Sequence, residues 1–235
     1  MRQKLMSITQ SLRLPSICTL CNQFHKGTLA VCTFCIGLIK ALGPACTHCA
    51  SPLPDEHYLI CGSCIKKPPH YDNAVIGYTF DEPLRSLIHQ FKYHNGLYLR
   101  NFLCHLMLNT VQKTQHIPQC LIPVPMHPLR IKQRGFNQAA LLAKKLARKL
   151  NIPYDLTSCQ KRINTAPQAS LDKEQRQKNL SKAFHVTPLP YEHVAIIDDL
   201  LTTGNTVNEL ALVLKKAGIK KVDVWCCART VTESL

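Results

Sequence analysis

The chain has no hydrophobic run long enough to cross a bilayer. Its most apolar stretch, Thr28 to Ile39, is too short, contains two cysteines and runs into Lys40. The basic start, MRQKLMSITQ, has no continuous apolar segment behind it, so the sequence gives no secretory signal, and a soluble cytoplasmic protein is expected. Acidic charge is also scarce. Fourteen Asp and Glu stand against 29 Lys and Arg, a formal charge of +15 over 235 residues. The imbalance is local: residues 126–187 hold 13 basic and three acidic residues, so +10 of the +15 falls there. Clustering of that kind suits a polyanionic partner, a nucleic acid or a multiply phosphorylated small molecule, although solubility alone is a plainer explanation of a basic surface.

Cysteine, by contrast, is plentiful. Of the 13, eight form four C-x-x-C pairs: Cys18/Cys21, Cys32/Cys35, Cys46/Cys49 and Cys61/Cys64. Two intervening residues let both thiolates of a pair point into one tetrahedral site, and two pairs complete it. A disulfide framework is the competing explanation. It suits a secreted domain, which the missing signal segment disfavours. The simplest assignment is sequential, with Cys18, Cys21, Cys32 and Cys35 in one Zn²⁺ site and Cys46, Cys49, Cys61 and Cys64 in a second. An interleaved pairing, or a single occupied site, stays open. Four thiolate ligands leave no position for metal catalysis, so the role expected is structural, with metal supplying much of the module's folding free energy. Lys66 to Asn73, with two prolines, reads as a short stiff linker. The expected division is 1–67 as a double zinc ribbon and 68–235 as a second domain.

In the second domain strands and amphipathic helices alternate. DNAVIGYTF, CLIPVP, HVAIID and IKKVDVWCCA read as strands; PLRSLIHQFKYH, YLRNFLCHLMLNTV, NQAALLAKKLARKL and TVNELALVLKKAG read as helices. Such alternation implies an α/β fold, a parallel sheet flanked by helices on both faces. In the last strand Cys226 should share a face with Val222 and Val224, with Cys227 opposite.

Ligands bind such sheets at the carboxyl ends of the strands. HVAIIDDLLTTGNT, residues 193–206, places two aspartates at one such end, before a turn feeding a helix. Thr202, Thr203, Gly204, Asn205 and Thr206 can surround a phosphate with backbone N–H groups and hydroxyls, helped by the helix dipole. Asp198 and Asp199 are poor phosphate ligands but good acceptors for vicinal hydroxyls. A ribose 5-phosphate fits both. A threonine helix cap beside a solvated acid pair would explain the threonines alone.

This stretch resembles the phosphoribosyl pyrophosphate (PRPP) signature of type I phosphoribosyltransferases. The resemblance implies that Asp198 and Asp199 hold the ribose hydroxyls, that Thr202, Thr203, Gly204 and Thr206 hold the 5-phosphate, and that Mg²⁺ accompanies the pyrophosphate. Asn205 departs mildly from the small residue usual there. Residues 122–143, IPVPMHPLRIKQRGFNQAALLA, resemble the pyrophosphate-side segment, and residues 162–184 carry a further landmark in Gln168, Leu171, Arg176, Asn179 and Phe184. With the cysteine array, the whole chain is similar to the ComF/GntX family of competence-associated proteins. Membership implies a role in natural transformation: handling incoming single-stranded DNA on the cytoplasmic side of the inner membrane, peripherally attached at most, beside an uptake channel or helicase. Lys132, Arg134, Arg176 and Lys178 are candidates for nucleic-acid or pyrophosphate contact. Phe136 and Tyr98 are candidates for base stacking, with burial in the core as their default. The alternative is an active phosphoribosyltransferase passing ribose 5-phosphate to an unidentified acceptor. A third reading is a zinc-ribbon adaptor on an inactive transferase fold. No general base is assignable from the sequence.

Overall fold

The structure, a computed structural model, describes residues 15–93, 96–114, 117–162 and 183–231. Arg176 and Lys178, with the landmark residues Gln168, Leu171 and Asn179, lie outside the described residues. Four parallel strands form the central sheet in the order β3-β8-β7-β4: β3 (Asn73–Thr79), β4 (Cys120–Pro123), β7 (His193–Leu201) and β8 (Lys221–Arg229). The middle strands, HVAIIDDLL and KVDVWCCAR, are buried over most of their length because helices cover both faces, and their sequences are nearly continuous apolar runs. Two short antiparallel pairs, β1 (Ser16–Ile17) with β2 (Phe24–His25) and β5 (Cys159–Lys161) with β6 (Phe184–Val186), stand apart from this sheet.

On one face pack α3 (Leu84–Tyr93), α4 (Arg100–Val111) and α6 (Gln138–Leu150). Their Leu87, Phe91, Phe102, Leu106, Leu142 and Leu146 meet Ala195, Ile197, Trp225 and Cys227 of the sheet. Gly77 is required here, since a Cβ on it would lie 2.1 Å from the Thr110 hydroxyl of α4. On the other face α7 (Asn205–Lys216) lays Val207, Leu210, Ala211 and Leu214 against Val194, Ile196, Val222, Val224 and Cys226. Cys226 and Cys227 therefore face opposite ways, and both are buried.

The cysteine-rich module carries two short helices, α1 (Thr33–Gly37) and α2 (Gly62–Lys66), and closes the sheet edge at β3. Leu42 N–H donates to the Gly77 carbonyl (2.9 Å), Thr79 N–H donates to Lys40 (3.1 Å), and Ala41 forms an antiparallel bridge with Tyr78. This gives the unpaired groups of an edge strand partners and blocks pairing with another chain. Cys18, Val31, Cys35 and Ile39 join the first core cluster; Leu42 and Ala50 join the second.

Three expectations need correction. The segment read as a linker is anchored. Tyr71 is buried, Asp72 N–H donates to Val222 O (2.7 Å), and the Asp72 carboxylate accepts from Val222 N–H and pairs with Lys215, both at 2.8 Å. The strand HVAIID does not stop at the acid pair but continues to Leu201, because β8 offers partners as far as Arg229. Tyr98 is 53% exposed, in a 3₁₀ turn (Gly96–Leu99) that precedes α4, and Phe136 is only half-buried, so burial is not the explanation of either.

Candidate functional site: an acid pair facing a basic wall

A cavity of about 370 Å³ opens at the carboxyl ends of β4 and β7, lined by Asp198, Asp199, Thr202 and Thr206 on one side and by Lys92, Arg130, Arg134 and Lys161 among others on the rest. The basic groups come from three separate parts of the chain. Lys92 sits in the last turn of α3 and Lys161 ends β5. Arg130 and Arg134 belong to α5 (Pro128–Arg134), whose N-cap, His127, also lines the cavity. Lys132, on the same helix, is exposed and outside the lining. The Lys161 ammonium is held below its ordinary range by burial and by the nearby Arg130 charge, with Asp198 opposing. An anion in the cavity would relieve that crowding.

The segment RGFNQ now has a local explanation. Gly135 ends α5 in the left-handed conformation (φ 84°), which a Cβ would disfavour. Phe136 turns toward Phe91, ring centroids 6.2 Å apart. Asn137 caps α6 through Ala140 N–H (3.4 Å) and donates to the Val124 carbonyl (3.0 Å), so it ties the loop after β4 to the start of α6. Gln138 is buried; its Oε1 accepts from Arg134 Nη1 (3.1 Å) and its Nε2 donates to the Lys92 carbonyl (3.3 Å). The Arg134 guanidinium also lies 4.6 Å from the Tyr93 ring centroid. One buried glutamine thus sets the positions of two basic residues of the cavity.

Opposite them, Asp199 is buried and its Oδ2 lies 2.7 Å from the Lys92 ammonium. Asp198 Oδ1 accepts from the Asp199 N–H (2.9 Å). Burial, and then the adjacent Asp199 charge, push the Asp198 carboxyl well above the ordinary carboxylate range, with Lys92 opposing. The folded state therefore binds a proton at Asp198 that the unfolded chain has released, and stability falls as pH rises from the ordinary value toward the raised one. Asp198→Asn should accordingly raise the melting temperature of the ligand-free protein at neutral pH. That gain should be smaller at about pH 5 than at about pH 8, because the wild-type carboxyl holds its proton at the lower pH. A gain independent of pH would remove this explanation.

The turn between β7 and α7 holds Thr202 and Thr203, both exposed, then Gly204 at φ 78°. Asn205 is exposed and Thr206 half-buried. No side chain caps α7 and its first turn contains no acid, so its leading N–H groups are available to an anion. Thr202 and Thr206 line the cavity; Thr203, Gly204 and Asn205 shape the turn without lining it.

In the cysteine module the thiol sulfurs gather as Cys18, Cys21, Cys32 and Cys35, and as Cys46, Cys49, Cys61 and Cys64, each set lying within 4.8 Å. This is the sequential grouping, and all eight cysteines are free thiols. A tetrahedral zinc with Zn–S near 2.3 Å places sulfurs about 3.8 Å apart. The Cys21–Cys32 and Cys49–Cys61 separations are 3.9 and 3.6 Å. Backbone N–H groups of Cys32 and Cys61 point at Cys18 and Cys46 sulfurs, at 3.4 and 3.3 Å. Burial opposes ionisation of Cys18, but the N–H groups of Cys32, Cys21 and Leu20 outweigh it and hold the thiol down at about 6. Cys35 is pushed up to about 12 by burial and by its three partner sulfurs, the conflict that a dication resolves. Both clusters could hold a zinc ion.

Several residues of the cavity were not singled out from the sequence: Lys92, His127, Arg130, Asn137, Gln138 and Lys161. Asn137, Gln138, His127 and Arg130 fall inside segment 122–143, which did carry a signal. Lys92 and Lys161 carried none of their own.

Residues 137–232 match the phosphoribosyl transferase domain family. The chain is 38% identical over 193 residues to Competence protein F of Haemophilus influenzae, covering 77% of this chain and 83% of that protein. It is 33% identical over 227 residues to DNA utilization protein YhgH of Escherichia coli K12, covering 94% of this chain and all of that one. Competence protein ComFC of Bacillus subtilis is 29% identical over 147 residues, 60% of this chain and 57% of that protein. With its two four-cysteine clusters and its phosphoribosyl transferase domain, the chain belongs to the ComF/GntX family that includes Competence protein F and YhgH.

Proposed function

We propose that the chain is a competence or DNA-utilization protein that handles single-stranded DNA and carries a binding site for PRPP with Mg²⁺. The observation that carries the reading is the cavity in which the Asp198–Asp199 pair and the uncapped start of α7 face Lys92, Arg130, Arg134 and Lys161. Asp198 and Asp199 would accept from the ribose hydroxyls, and the Thr202–Thr206 turn would take the 5-phosphate. Lys92 and Arg134 would take the pyrophosphate, whose charge Mg²⁺ shares. The names of the relatives support the DNA side of the reading. So does the basic excess of residues 126–187, including the exposed Lys144, Arg148 and Lys149 of α6. The exposed Tyr98 and the half-buried Phe136 offer faces on which bases could stack.

Single-strand affinity should fall steeply with salt, by about 300-fold between about 50 and about 200 mM if about six phosphates are neutralised. Fluorescence anisotropy with a labelled oligonucleotide measures it, and a flat salt response would remove the DNA claim. The PRPP site is tested by pyrophosphate release from Mg²⁺ and PRPP, with and without single-stranded DNA and a panel of bases. Binding without turnover fits a ligand sensor. Turnover that depends on one acceptor favours the transferase reading, which the completeness of the acid pair and basic wall supports as the second choice.

A further inference from the structure

Arg229 is the last residue of β8, in register with Leu201 at the end of β7. Its side chain spans two regions that the sequence separates by about 150 residues. Nε donates to the carbonyl of Cys49, a member of the second cysteine cluster, at 3.0 Å. Nη1 donates to the carbonyls of Leu201 (3.1 Å) and Thr202, where the turn before α7 begins, and also to the Thr230 carbonyl (3.0 Å) and Oγ1 (3.2 Å). The guanidinium is rigid and planar, so displacement at one end is transmitted to the other. The stretch just after this cluster also reaches the turn and α7. The buried Tyr71 places its hydroxyl 3.3 Å from where a Cβ on Gly204 would stand, and His70 N–H donates to Asn208 Oδ1 in the first turn of α7 at 2.6 Å. The first cluster differs. Among the described residues, Cys18 to Cys35 make no hydrogen bond to the turn or to α7; their side chains pack on the opposite core cluster.

We propose that Arg229 is a positioning residue that couples metal at the second cluster to anion binding at the 202–206 turn, so that each stabilises the other. Metal at Cys46, Cys49, Cys61 and Cys64 fixes the Cys49 carbonyl; the fixed carbonyl orients Arg229; Arg229 holds the Thr202 carbonyl back and leaves the N–H groups of the turn facing the ligand, while the Leu201 carbonyl is also held by the Thr230 N–H (3.0 Å). A Thr202 carbonyl free to rotate into the turn would repel a phosphate. The coupling rests on the reading above that this turn binds the 5-phosphate of PRPP. Linkage makes it reciprocal: whatever factor metal adds to ligand affinity, ligand adds to metal affinity.

The test uses the zinc-loaded full-length protein, Arg229→Lys and Cys61→Ser, with PRPP and Mg²⁺ as the probe. Calorimetry in excess zinc gives the PRPP dissociation constants, and a colorimetric chelator follows zinc release from the two sites. The expected result is a PRPP affinity about tenfold weaker in both variants, at the low end of typical coupling. In the wild type PRPP should slow one of two release phases, and Arg229→Lys should lose that slowing while retaining two zinc ions and a near-normal melting temperature. A solely structural Arg229 would lower the melting temperature without changing the effect of PRPP on zinc release. PRPP binding in the wild type, with affinities in the variants within twofold of it and release rates that ignore PRPP, overturns the coupling alone. No PRPP binding in the wild type overturns both the coupling and the reading it rests on.

Discussion

Lys92→Met is expected to destabilise the protein by about 3 kcal/mol, the low end for breaking a buried pair by removing one partner. The low end applies because the lysine side chain keeps 21% of its exposure, against 5% for Asp199. Without the ammonium, Asp199 is left buried beside Asp198 with no counter-charge, and two adjacent carboxylates compete for one proton. In a chain of this length the loss corresponds to a melting temperature lower by about 10 °C. Adding Asp199→Asn to Lys92→Met should recover most of it, since the uncompensated charge is gone. Thermal melts of the two single variants and the double variant measure this directly. Equal losses in the single and double variants would mean that Lys92 acts through packing of its stem rather than through its charge. The pH dependence follows from the same groups. The Lys92→Met deficit should be smaller at about pH 5 than at about pH 8, because protonation of Asp198 removes the repulsion.

Metal removal has the second large effect. Each cluster brings four thiols together, and the apolar side chains of the module are few and shared with the rest of the core. Zinc binding worth on the order of 10 kcal/mol per site at neutral pH is then comparable to the whole stability of a domain this small. A strong chelator should unfold the region around residues 18–64. It should also release Lys40, Ala41 and Leu42 from β3, exposing that strand as a sheet edge. Three readouts check this: two zinc ions per chain by elemental analysis, loss of the first unfolding transition on chelation, and chelated protein that aggregates unless the edge is covered again by restoring metal. A melting curve indifferent to chelation would contradict the structural role of the clusters.

The difference between what was legible in the sequence and what was not has a physical origin. C-x-x-C spacing is local, so the eight cysteines were readable at once, and only their grouping needed the fold. Apolar periodicity placed α6 and α7 well, because their inward residues repeat along one face. The acid pair Asp198–Asp199 was readable as a candidate site because paired acids after a buried run have no packing purpose. The full length of the strand was not, since the extension to Leu201 depends on hydrogen bonds from β8. Lys92 and Arg229 were invisible for the same reason. Each reads as an ordinary basic residue ending a helix or a strand, and each acquires a role only through a partner more than 100 residues away, Asp199 for one and Cys49 for the other. The supposed linker misled because prolines signal extended chain, whereas the anchoring is done by Tyr71 and Asp72 just after them.

Binding of PRPP in the cavity beside Asp198 and Asp199 is measured by calorimetric titration of PRPP with Mg²⁺ into zinc-loaded wild type and Asp199→Asn. One site per chain is expected in the wild type. Affinity in the variant should be about 100-fold weaker, as expected when one partner of charged hydrogen bonds is lost from a buried site. Equal affinity in both proteins, or no binding to the wild type, would contradict PRPP binding in this cavity.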